Sequence, residues 1–561
     1  MGEEVHPTPD VVNPQPPETD PPAEESGTAF VRNTAVMSLG TALSRLTGFL
    51  RLAAMAFAIG IAESRLPDAY NIANITPNIV YELVLGGILT SVVVPVVVEW
   101  LQERGRDEAW DVVRRLLTIA FLVLSGVALV AIAVAPWIVD LYTIGVPSKD
   151  QAIVREYSTF FLRWFMPQVV FYGIGAIAIG LLQAHRRFAV PMFAPILNNL
   201  VVIATFLVFA AMEGPAAGSR ELATTAQKYV LAIGTTAGVA AMTIALWPTL
   251  RATGFRFAPR LGFAHAAVRR MSHLAKWILL YVAANQAGLL VVIVLADRIE
   301  GGYTAYASAF ILFQLPHAIF AVSIFTALLP AMSGRWADRD PDGFRRLLAQ
   351  GIRGTAAIVI PAALGYLVLA RPIVRLLLEH GVAGPRSGEL VSDVLVAFSV
   401  GLFPFSVFQL LLRGYYAMQD TRTPAVVNLV AVAINVVVDL FLFFVLDLGV
   451  PGLALGHAAS YVFGGTVLTV LIGQRLGGLG GGHVLESIGR SALVGVATAG
   501  VAWVVAWALG EAVGTETIGA QSLQVFTAVA AGLVVFLVGS RALRIEEVDA
   551  VRRHLVGRWR R

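Results

Sequence analysis

The chain has 561 residues, of which 57% are hydrophobic and 14% are charged, and its mean hydropathy is +0.73. A soluble protein this apolar could not cover its surface with polar groups, so the composition predicts a polytopic membrane protein. The absence of cysteine excludes disulfides and thiolate metal sites. The sequence has no nucleotide-binding motif and no nucleophile–base or metal constellation, so we expect no enzyme, no cofactor and no nucleic-acid partner.

The first 28 residues differ from the rest of the chain. They contain seven acidic residues, many prolines and no lysine or arginine. Such a segment cannot bury a core and is predicted to be a disordered, acidic, proline-rich cytoplasmic tail. It also lacks the basic start and apolar centre of a signal peptide.

About fourteen later stretches are apolar and long enough to cross a bilayer, which takes about 20 residues. We therefore predict an all-α polytopic membrane protein whose transmembrane helices lie at 34–60, 69–100, 113–142, 157–184, 189–212, 226–249, 274–297, 303–333, 347–370, 390–418, 424–446, 452–473, 487–510 and 520–542.

The loops between these stretches predict the orientation. Every second loop is rich in arginine, whereas the intervening loops contain few cations, such as Arg65 and Arg298. By the positive-inside rule, the arginine-rich loops and both termini face the cytoplasm. An even number of helices agrees with this arrangement.

The chain repeats itself weakly. Pro95 and its surroundings recur at Pro330, and Gly180 recurs at Gly414 with an offset of 234 residues. Six helices separate the copies, so both have the same orientation, as in a parallel repeat about an axis along the membrane normal. The alternative is that proline and arginine recur in loops by chance. The repeat predicts a tail (1–28), a first six-helix lobe (29–250), a cytoplasmic linker (251–273), a second six-helix lobe (274–475), two further helices (476–545) and a basic cytoplasmic C-terminal tail (546–561).

Two arginines, Arg45 and Arg51, lie inside the first apolar stretch. An arginine within the bilayer is costly unless it faces water, an anion or a protein partner. The two are about 9 Å apart along a helix and about 120° apart around it, so they share a face only if the helix bends, for example at Gly48. Guanidinium groups bind phosphate oxygens in a bidentate manner, and the pattern favours a cavity site for a phosphate or diphosphate. The alternatives are snorkelling or ion pairs within the membrane, for example with Asp68 or Glu82.

Further polar residues are candidates for the same site. Asp68 begins the second helix, where it would also stabilise the helix dipole. Glu82 lies deeper, and Pro77 and Asn78 would kink this helix and expose polar backbone to a cavity. Gln314, in the eighth stretch, would either line the path or hold helices together.

A second polar pair, Asn435 and Asp439, lies one turn apart in the eleventh stretch and so on one helix face. An acid and an amide in a membrane can bind Na⁺ through oxygen atoms or carry a proton. The alternative is a hydrogen bond between helices.

The segment SRLTGFLR, from Ser44 to Arg51, resembles the MurJ/MviN family, the lipid II flippases of bacterial cell-wall synthesis. The similarity continues through DAY at 68–70, PN at 77–78 and Pro95, and resumes at QLP at 314–316 and GYYAMQDTRTP at 414–424. With the helices and the repeat, it covers about residues 30 to 545.

The resemblance implies the fold of the MATE-like multidrug/oligosaccharidyl-lipid/polysaccharide exporter superfamily and alternating access by two lobes. It implies that Arg45 and Arg51 bind the diphosphate and that Asp68 is an outer gate that pairs with a cavity arginine in one state. The expected partners are lipid II, membrane lipids and proteins of cell-wall synthesis and division, and the expected location is the bacterial plasma membrane. The arginine-rich, lysine-poor composition indicates a high-GC, actinobacterial source.

The sequence also departs from the family pattern. An arginine that often follows the Pro-Asn of the second helix is replaced by the region of Tyr81 and Glu82. An arginine common in the eighth helix falls near Ile311, and a sodium-ligand acid of the seventh helix falls near Val292. The acid–amide pair of the eleventh helix does resemble the family's sodium-site pair, which leaves Na⁺ or H⁺ as the coupling ion.

These features predict a lipid II flippase that works by alternating access. The first alternative is a transporter of another substrate, either a different polyprenyl-linked glycan or a cationic drug exchanged for a cation. A drug site should be acidic and aromatic, and the arginines of the first helix argue against it. The second alternative is a non-transporting scaffold of the division machinery.

Overall fold

The computed structural model describes residues 27–82, 106–185, 187, 189–216, 221–261, 282–479 and 481–548. These ranges are almost entirely helical and contain no strand. The helices are α1 (Gly27–Ile59), α2 (Leu66–Glu82), α3 (Arg106–Ala133), α4 (Ala135–Tyr142), α5 (Ser148–Phe165), α6 (Gln168–Ala184), α7 (Ala189–Ala211), α8 (Thr225–Arg251), α9 (Val282–Ala296), α10 (Gly302–Pro316), α11 (Val322–Ala337), α12 (Pro341–Leu378), α13 (Pro385–Val400), α14 (Leu402–Ala417), α15 (Arg422–Phe444), α16 (Gly449–Leu476), α17 (Gly481–Val513) and α18 (Ile518–Ala542).

The described ranges contain 11 helices that are long and apolar enough to cross a membrane, or 12 when the bent pair α13–α14 is one span. Each of the fourteen predicted stretches overlaps a helix, and the second and seventh overlap α2 and α9, which adjoin residues outside the described ranges. The prediction of an all-α polytopic membrane protein is therefore confirmed, with a helix count of about 14. The tails at 1–26 and 549–561 lie outside the described residues.

Local sequence signals explain where several helices begin. Thr224 and Gln227 form a capping box at the start of α8, in which each side chain accepts a hydrogen bond from the other residue's backbone N–H. Asp340 caps α12 by accepting from the N–H of Gly343, and Pro341 follows in the first helical turn. Thr517 caps α18 in the same way.

The two predicted copies of the repeat pack alike. Helix α2 packs on α5 and α7 packs on α8 in the first copy, as α10 packs on α13 and α15 on α16 in the second. The fourth span breaks at Pro167 and the tenth at Gly401, and these breaks are 234 residues apart in the chain, the offset found in the sequence. We call the two copies the first and second lobe; their exact boundaries stay a prediction.

The last two helices extend the second lobe. Helix α17 packs along α12, and α18 packs against α17. Close by, Arg353 of α12 forms a 2.9 Å ion pair with Glu547, beyond the end of α18.

The lobes meet at one end of the bundle, opposite the arginine-rich connections between α6 and α7, α11 and α12, and α14 and α15. We call it the gate end. The N–H of Val382 donates to the Phe57 carbonyl at 3.0 Å, and the N–H of Ala62 donates to Ser387 Oγ at 2.9 Å. Gly301 allows this approach: it has a φ of +74°, and a Cβ there would collide with the backbone of Ile61 and Ala62. The lobes are thus sealed at the gate end.

Candidate functional site

A cavity of about 830 Å³ lies between the lobes behind the gate end. Its walls are α1, α2, α9 and α10, with contributions from α6 and α7. Five of the predicted site residues line it: Arg45, Arg51, Asn78, Glu82 and Gln314. The cavity is large enough for a phosphorylated sugar and is lined by polar groups on both sides.

Both arginines reach this cavity although α1 is an unbroken helix. The residues of α1 that line it, from Thr41 to Met55, span an arc of about 160° at 100° per residue. Arg45 and Arg51 stand near the two edges of this arc, and Gly48 lies between them. The predicted bend at Gly48 is not needed, because the cavity wraps around the helix face and Gly48 leaves the space between the two side chains open.

The five lining residues lie at depths between about 12 and 24 Å. At 1.5 Å per residue, Arg51 lies about 12 Å from the gate end of α1 and Arg45 about 21 Å from it. The same count places Asn78 of α2 and Gln314 of α10 about 18 Å deep, and Glu82 about 24 Å deep. Arg45, Asn78, Glu82 and Gln314 therefore form a polar belt, and Arg51 lies one to two helical turns nearer the gate end.

Neither cavity arginine makes an ion pair or hydrogen bond with any residue of the described ranges. Arg45 is exposed and Arg51 is half-buried. The polar neighbour of Glu82 is Gln286 of α9, whose Nε2 lies 3.5 Å from Oε2 of Glu82. The intramembrane pairs of Arg51 with Asp68 or Glu82, raised as an alternative, are therefore not formed. Two arginines and one carboxylate leave the lining positively charged, which suits an anion.

Asp68 does not line the cavity in this conformation, contrary to its predicted place among the substrate-binding residues. It is buried at the gate end, where its carboxylate accepts from the N–H of Gly301 at 2.8 Å and from Thr304 Oγ1 at 2.7 Å. Its arginine neighbour is Arg65, at 3.5 Å, and not a cavity arginine. Both hydrogen-bond donors belong to the second lobe, so Asp68 joins the lobes across the gate.

Glu63 makes a second polar contact across the gate. It accepts from the N–H of Gly384 at 2.8 Å and from Ser387 Oγ. Burial raises the pKa of Glu63, but the hydrogen bonds from Ser387 and from the amides of Ile61, Gly384 and Ala62 outweigh it, so the pKa is lowered. The carboxylate is thus held in its charged form as a hydrogen-bond acceptor that fastens the gate.

Asn435 and Asp439 lie outside the cavity, within the second lobe. Both are buried on α15, and Asn435 Nδ2 donates to Asp439 Oδ1 at 3.0 Å. The second carboxylate oxygen, Oδ2, has no partner among the described residues. The spacing prediction of a shared helix face is therefore confirmed, and Gly456 of α16 packs directly against this carboxyl group. No group of three or more His, Cys, Asp or Glu residues that could hold a metal ion occurs in the described part of the chain.

Some residues at the cavity were not singled out from the sequence. Asn71 and Asn74 line it two turns and one turn before Asn78, and Tyr303 and Ser308 line it from α10. The asparagines of α2 recur with a helical period, a signal that the sequence does contain. Tyr303 and Ser308 lack such a signal, because isolated polar residues in a membrane helix more often hold helices together.

Two six-helix lobes that enclose a polar cavity between them define a membrane transporter of the MATE-like fold. A solved structure described as "Inward-facing conformation of a multidrug resistance MATE family transporter of the MOP superfamily" aligns with a TM-score of 0.63 and 12% identity, covering 78% of this chain and 99% of that chain. A structure described as "Lipid II flippase MurJ, inward closed conformation" aligns with a TM-score of 0.72 and 19% identity, covering 90% of this chain and 98% of that chain.

The sequence places the chain more narrowly. The family model described as "Lipid II flippase MurJ" matches residues 55–517, and the chain belongs to this family. A relative from Vibrio cholerae, described as "Probable lipid II flippase MurJ", is 28% identical over 445 residues, which cover 77% of this chain and 80% of the relative. Arg45 and Arg51 lie just before the matched residues, so their role depends on the geometry of the cavity and on the SRLTGFLR motif.

Two positions at which the sequence departs from the family pattern lie in the described helices α9 and α10. Ile311, near the expected arginine of the eighth helix, lines the cavity and is 41% exposed. Val292, near the expected acid of the seventh helix, is buried. The cavity wall of the second lobe therefore lacks a cation at Ile311, and the surroundings of Asp439 lack an acid at Val292.

Proposed function

We propose that this protein moves lipid II, the undecaprenyl-diphosphate-linked disaccharide-pentapeptide, from the inner to the outer leaflet of the bacterial plasma membrane. The family membership and the names of the relatives support this substrate. The observation that carries the proposal is the cavity between the lobes, with two arginines that have no partner among the described residues.

Arg45 and Arg51 bind the diphosphate in this proposal. A guanidinium stays charged at any physiological pH and presents paired donors to phosphate oxygens. The residues Asn78, Glu82 and Gln314 lie within about 3 Å of the depth of Arg45 and offer hydrogen bonds to the sugar and peptide groups. The lipid tails remain outside the cavity, between helices, because the charged and amide side chains of the cavity disfavour them.

Transport then follows from alternating access. The arginine-rich loops and both termini lie in the cytoplasm, so the gate end faces outward and the cavity receives substrate from the inner leaflet. Release requires that the contacts of Asp68 and Glu63 across the gate break. A carrier of this kind needs its substrate to bind the two states differently, and neutralisation of the two arginines by the diphosphate provides that difference. Na⁺ or H⁺ bound at Asn435 and Asp439 is the coupling ion of this scheme.

The test is the amount of lipid II exposed in the outer leaflet of cells depleted of their own flippase. We expect the parent chain to restore it, and Arg45→Ala or Arg51→Ala to lower the initial rate at least about tenfold, since one hydrogen bond to a charged group contributes about 1.5–3 kcal/mol. Arg541→Ala, an exposed arginine at the end of α18, is the matched control and should behave as the parent.

Equal amounts of inserted protein must be shown for every variant. If the parent inserts correctly but exposes no lipid II, the substrate is another polyprenyl-linked glycan. If Arg45→Ala and Arg51→Ala both transport at the parent rate, the diphosphate site is wrong even if the substrate is right.

A further inference from the structure

We propose that Asp297, at the gate end of α9, is a proton-binding site whose protonation stabilises the closed gate. The inference rests on the alternating access proposed above, because it gives Asp297 a role in the separation of the lobes. It does not depend on which lipid-linked substrate crosses the membrane.

The side chain of Asp297 is fully buried, and neither of its carboxylate oxygens has a hydrogen-bond partner among the described residues. A buried carboxylate without donors is strongly disfavoured relative to the neutral acid, because it loses its hydration and gains nothing in return. Asp68, another buried acid at this gate, does have donors: its carboxylate accepts three hydrogen bonds from Gly301 and Thr304. Asp297 is the exception.

The charges around Asp297 also favour the neutral form. Three acids, Asp68, Asp150 and Asp297, lie around the buried cation Arg65. The Arg65 guanidinium is 3.5 Å from Asp68 and 3.2 Å from Asp150, while it donates to the backbone carbonyl of Asp297 at 3.1 Å. The guanidinium thus binds the backbone of Asp297 and leaves its carboxyl group without an ion pair.

The remaining ionisable neighbours do not change this balance. Tyr303 of α10 is within electrostatic range of Asp297, Asp68 and Tyr142 of α4. On the same connection, Glu300 pairs with Arg386 at 3.4 Å, and the Arg298 guanidinium lies over the ring of Phe444. None of these groups is a cation directed at the Asp297 carboxyl.

A proton fits the site better than a metal ion. The described residues contain no cluster of three or more acidic, histidine or cysteine ligands that could hold a metal. Arg65 also occupies the space between Asp68 and Asp150, where a second cation would be repelled. The site accommodates one proton, taken up from the outer side when the gate closes and returned to it when the lobes part and water reaches Asp297.

The direction of the pH dependence follows. When the gate is open and water reaches Asp297, the group titrates as an ordinary aspartate. Above the usual aspartate range it is therefore charged in the open state, and the gate can close only when it takes up a proton. The closed-to-open ratio is therefore greatest in acid and falls by up to about tenfold per pH unit as the pH rises above the usual aspartate range. Acid outside holds the gate closed, and neutral to alkaline medium favours its opening.

The gate can be followed directly because the chain has no cysteine that would react with a label. Spin labels on Ser148→Cys and Val445→Cys, exposed positions on opposite lobes at the gate end, report the distance between lobes in lipid nanodiscs. We expect the closed population of the parent to rise with acid. Asp297→Asn, which imitates the protonated acid, should stay closed at every pH. Asp447→Asn, an exposed aspartate of the same lobe, is the matched control and should follow the parent.

A second measurement keeps the test independent of gate motion. The infrared difference spectrum between the parent and Asp297→Asn at neutral pH should contain the C=O stretch of a protonated carboxyl group, and the difference spectrum between the parent and Asp447→Asn should not. The proposal is overturned if the Asp297→Asn difference spectrum lacks this band, if the parent's closed population does not change with pH, or if Na⁺ rather than pH shifts it. Failure of the parent chain to expose lipid II in the rescue assay would instead count against the proposed substrate.

Discussion

The two lobes share one architecture but divide the charged residues between them. In the first lobe, the cavity wall carries Arg45, Arg51 and Glu82. Across the cavity, the described wall of the second lobe offers only neutral side chains, with Ile311 near the position of the expected arginine. The charge of the cavity wall thus comes from one copy of the repeat, and the other copy supplies a neutral surface.

The buried polar groups show the opposite asymmetry. The second lobe holds Asn435 and Asp439 within α15, whereas the positions 233 residues earlier, the offset between Pro191 of α7 and Pro424 of α15, are Val202 and Phe206 of the first lobe. A repeated fold can diverge in this way because the packing of its helices depends on apolar faces, so polar residues are free to change in one copy. The comparison teaches that anion binding and any cation binding are assigned to different lobes.

The largest effect is expected when one cavity arginine is removed and an arginine is placed on the opposite wall, which tests whether the position of the charge matters. Arg51→Ala should lower the exposure of lipid II at least about tenfold, as one charged hydrogen bond is lost. Ile311→Arg in the same chain should restore a measurable part of it, because Ile311 lines the same cavity and is 41% exposed. Ile311→Gln, which is polar but uncharged, is the control and should restore nothing. Equal rescue by glutamine would show that charge is not what the cavity requires.

A several-fold effect is expected at the buried acid of the second lobe. Asp439→Asn keeps the hydrogen bond with Asn435 but removes the charge that a coupling cation would need, so transport should become slower and lose its dependence on Na⁺ or H⁺. The measurement is lipid II exposure as a function of each ion gradient, with Asp447→Asn as the exposed control. If Asp439→Asn keeps the parent's ion dependence, the pair is structural and the comparison between lobes reduces to the cavity arginines.

The smallest effect concerns stability, in the connection between α14 and α15. Asp420 accepts from the Thr423 N–H at 3.0 Å and pairs with Arg475 of α16 at 2.6 Å. Asp420→Ala should lower the unfolding free energy by about 1 kcal/mol, the usual cost of losing a helix cap. Thermal unfolding in detergent measures this, with the exposed Asp338→Ala as the control.

The same group gives a pH dependence with a definite sign. Burial raises the pKa of Asp420, but the Thr423 and Arg475 contacts outweigh it and lower the pKa from 3.8 to about 2. Because the folded-state pKa is depressed, the stabilisation is complete at neutral pH, declines below about pH 4 and is lost near pH 2. In Asp420→Ala this part of the acid dependence should disappear; an unchanged acid transition would show that the cap contributes nothing.

Much of the fold follows from local features of the chain. Long apolar stretches separated by arginine-rich loops predict membrane helices, and each predicted stretch overlaps a helix of the structure. The repeat was also visible as an offset of about 235 residues, which reappears in the breaks at Pro167 and Gly401. Hydropathy and periodicity are properties of a segment one helix long, so they predict helices without knowledge of the tertiary structure.

The candidate site was partly visible in the same way. Arg45 and Arg51 are conspicuous because an arginine inside an apolar stretch demands a reason, and both line the cavity. The resemblance implied a gate role for Asp68, but the sequence did not show its partners, because an acid at the start of a helix has an ordinary role at the dipole. Its partners Gly301 and Thr304 lie more than 230 residues away in the chain.

By itself the sequence determined the class of protein, the membrane helices, the repeat and the two arginines, all of which depend on the composition of single segments. Only the tertiary structure decided that Arg45 and Arg51 of α1 line the same cavity. It also decided that Asp68 and Glu63 bind across the gate, and that Asp297 is buried without a hydrogen-bond donor. The physical reason is that hydrogen bonding and burial depend on which distant segments meet. That pairing is set by the packing of whole helices and leaves no mark in the local pattern of residues.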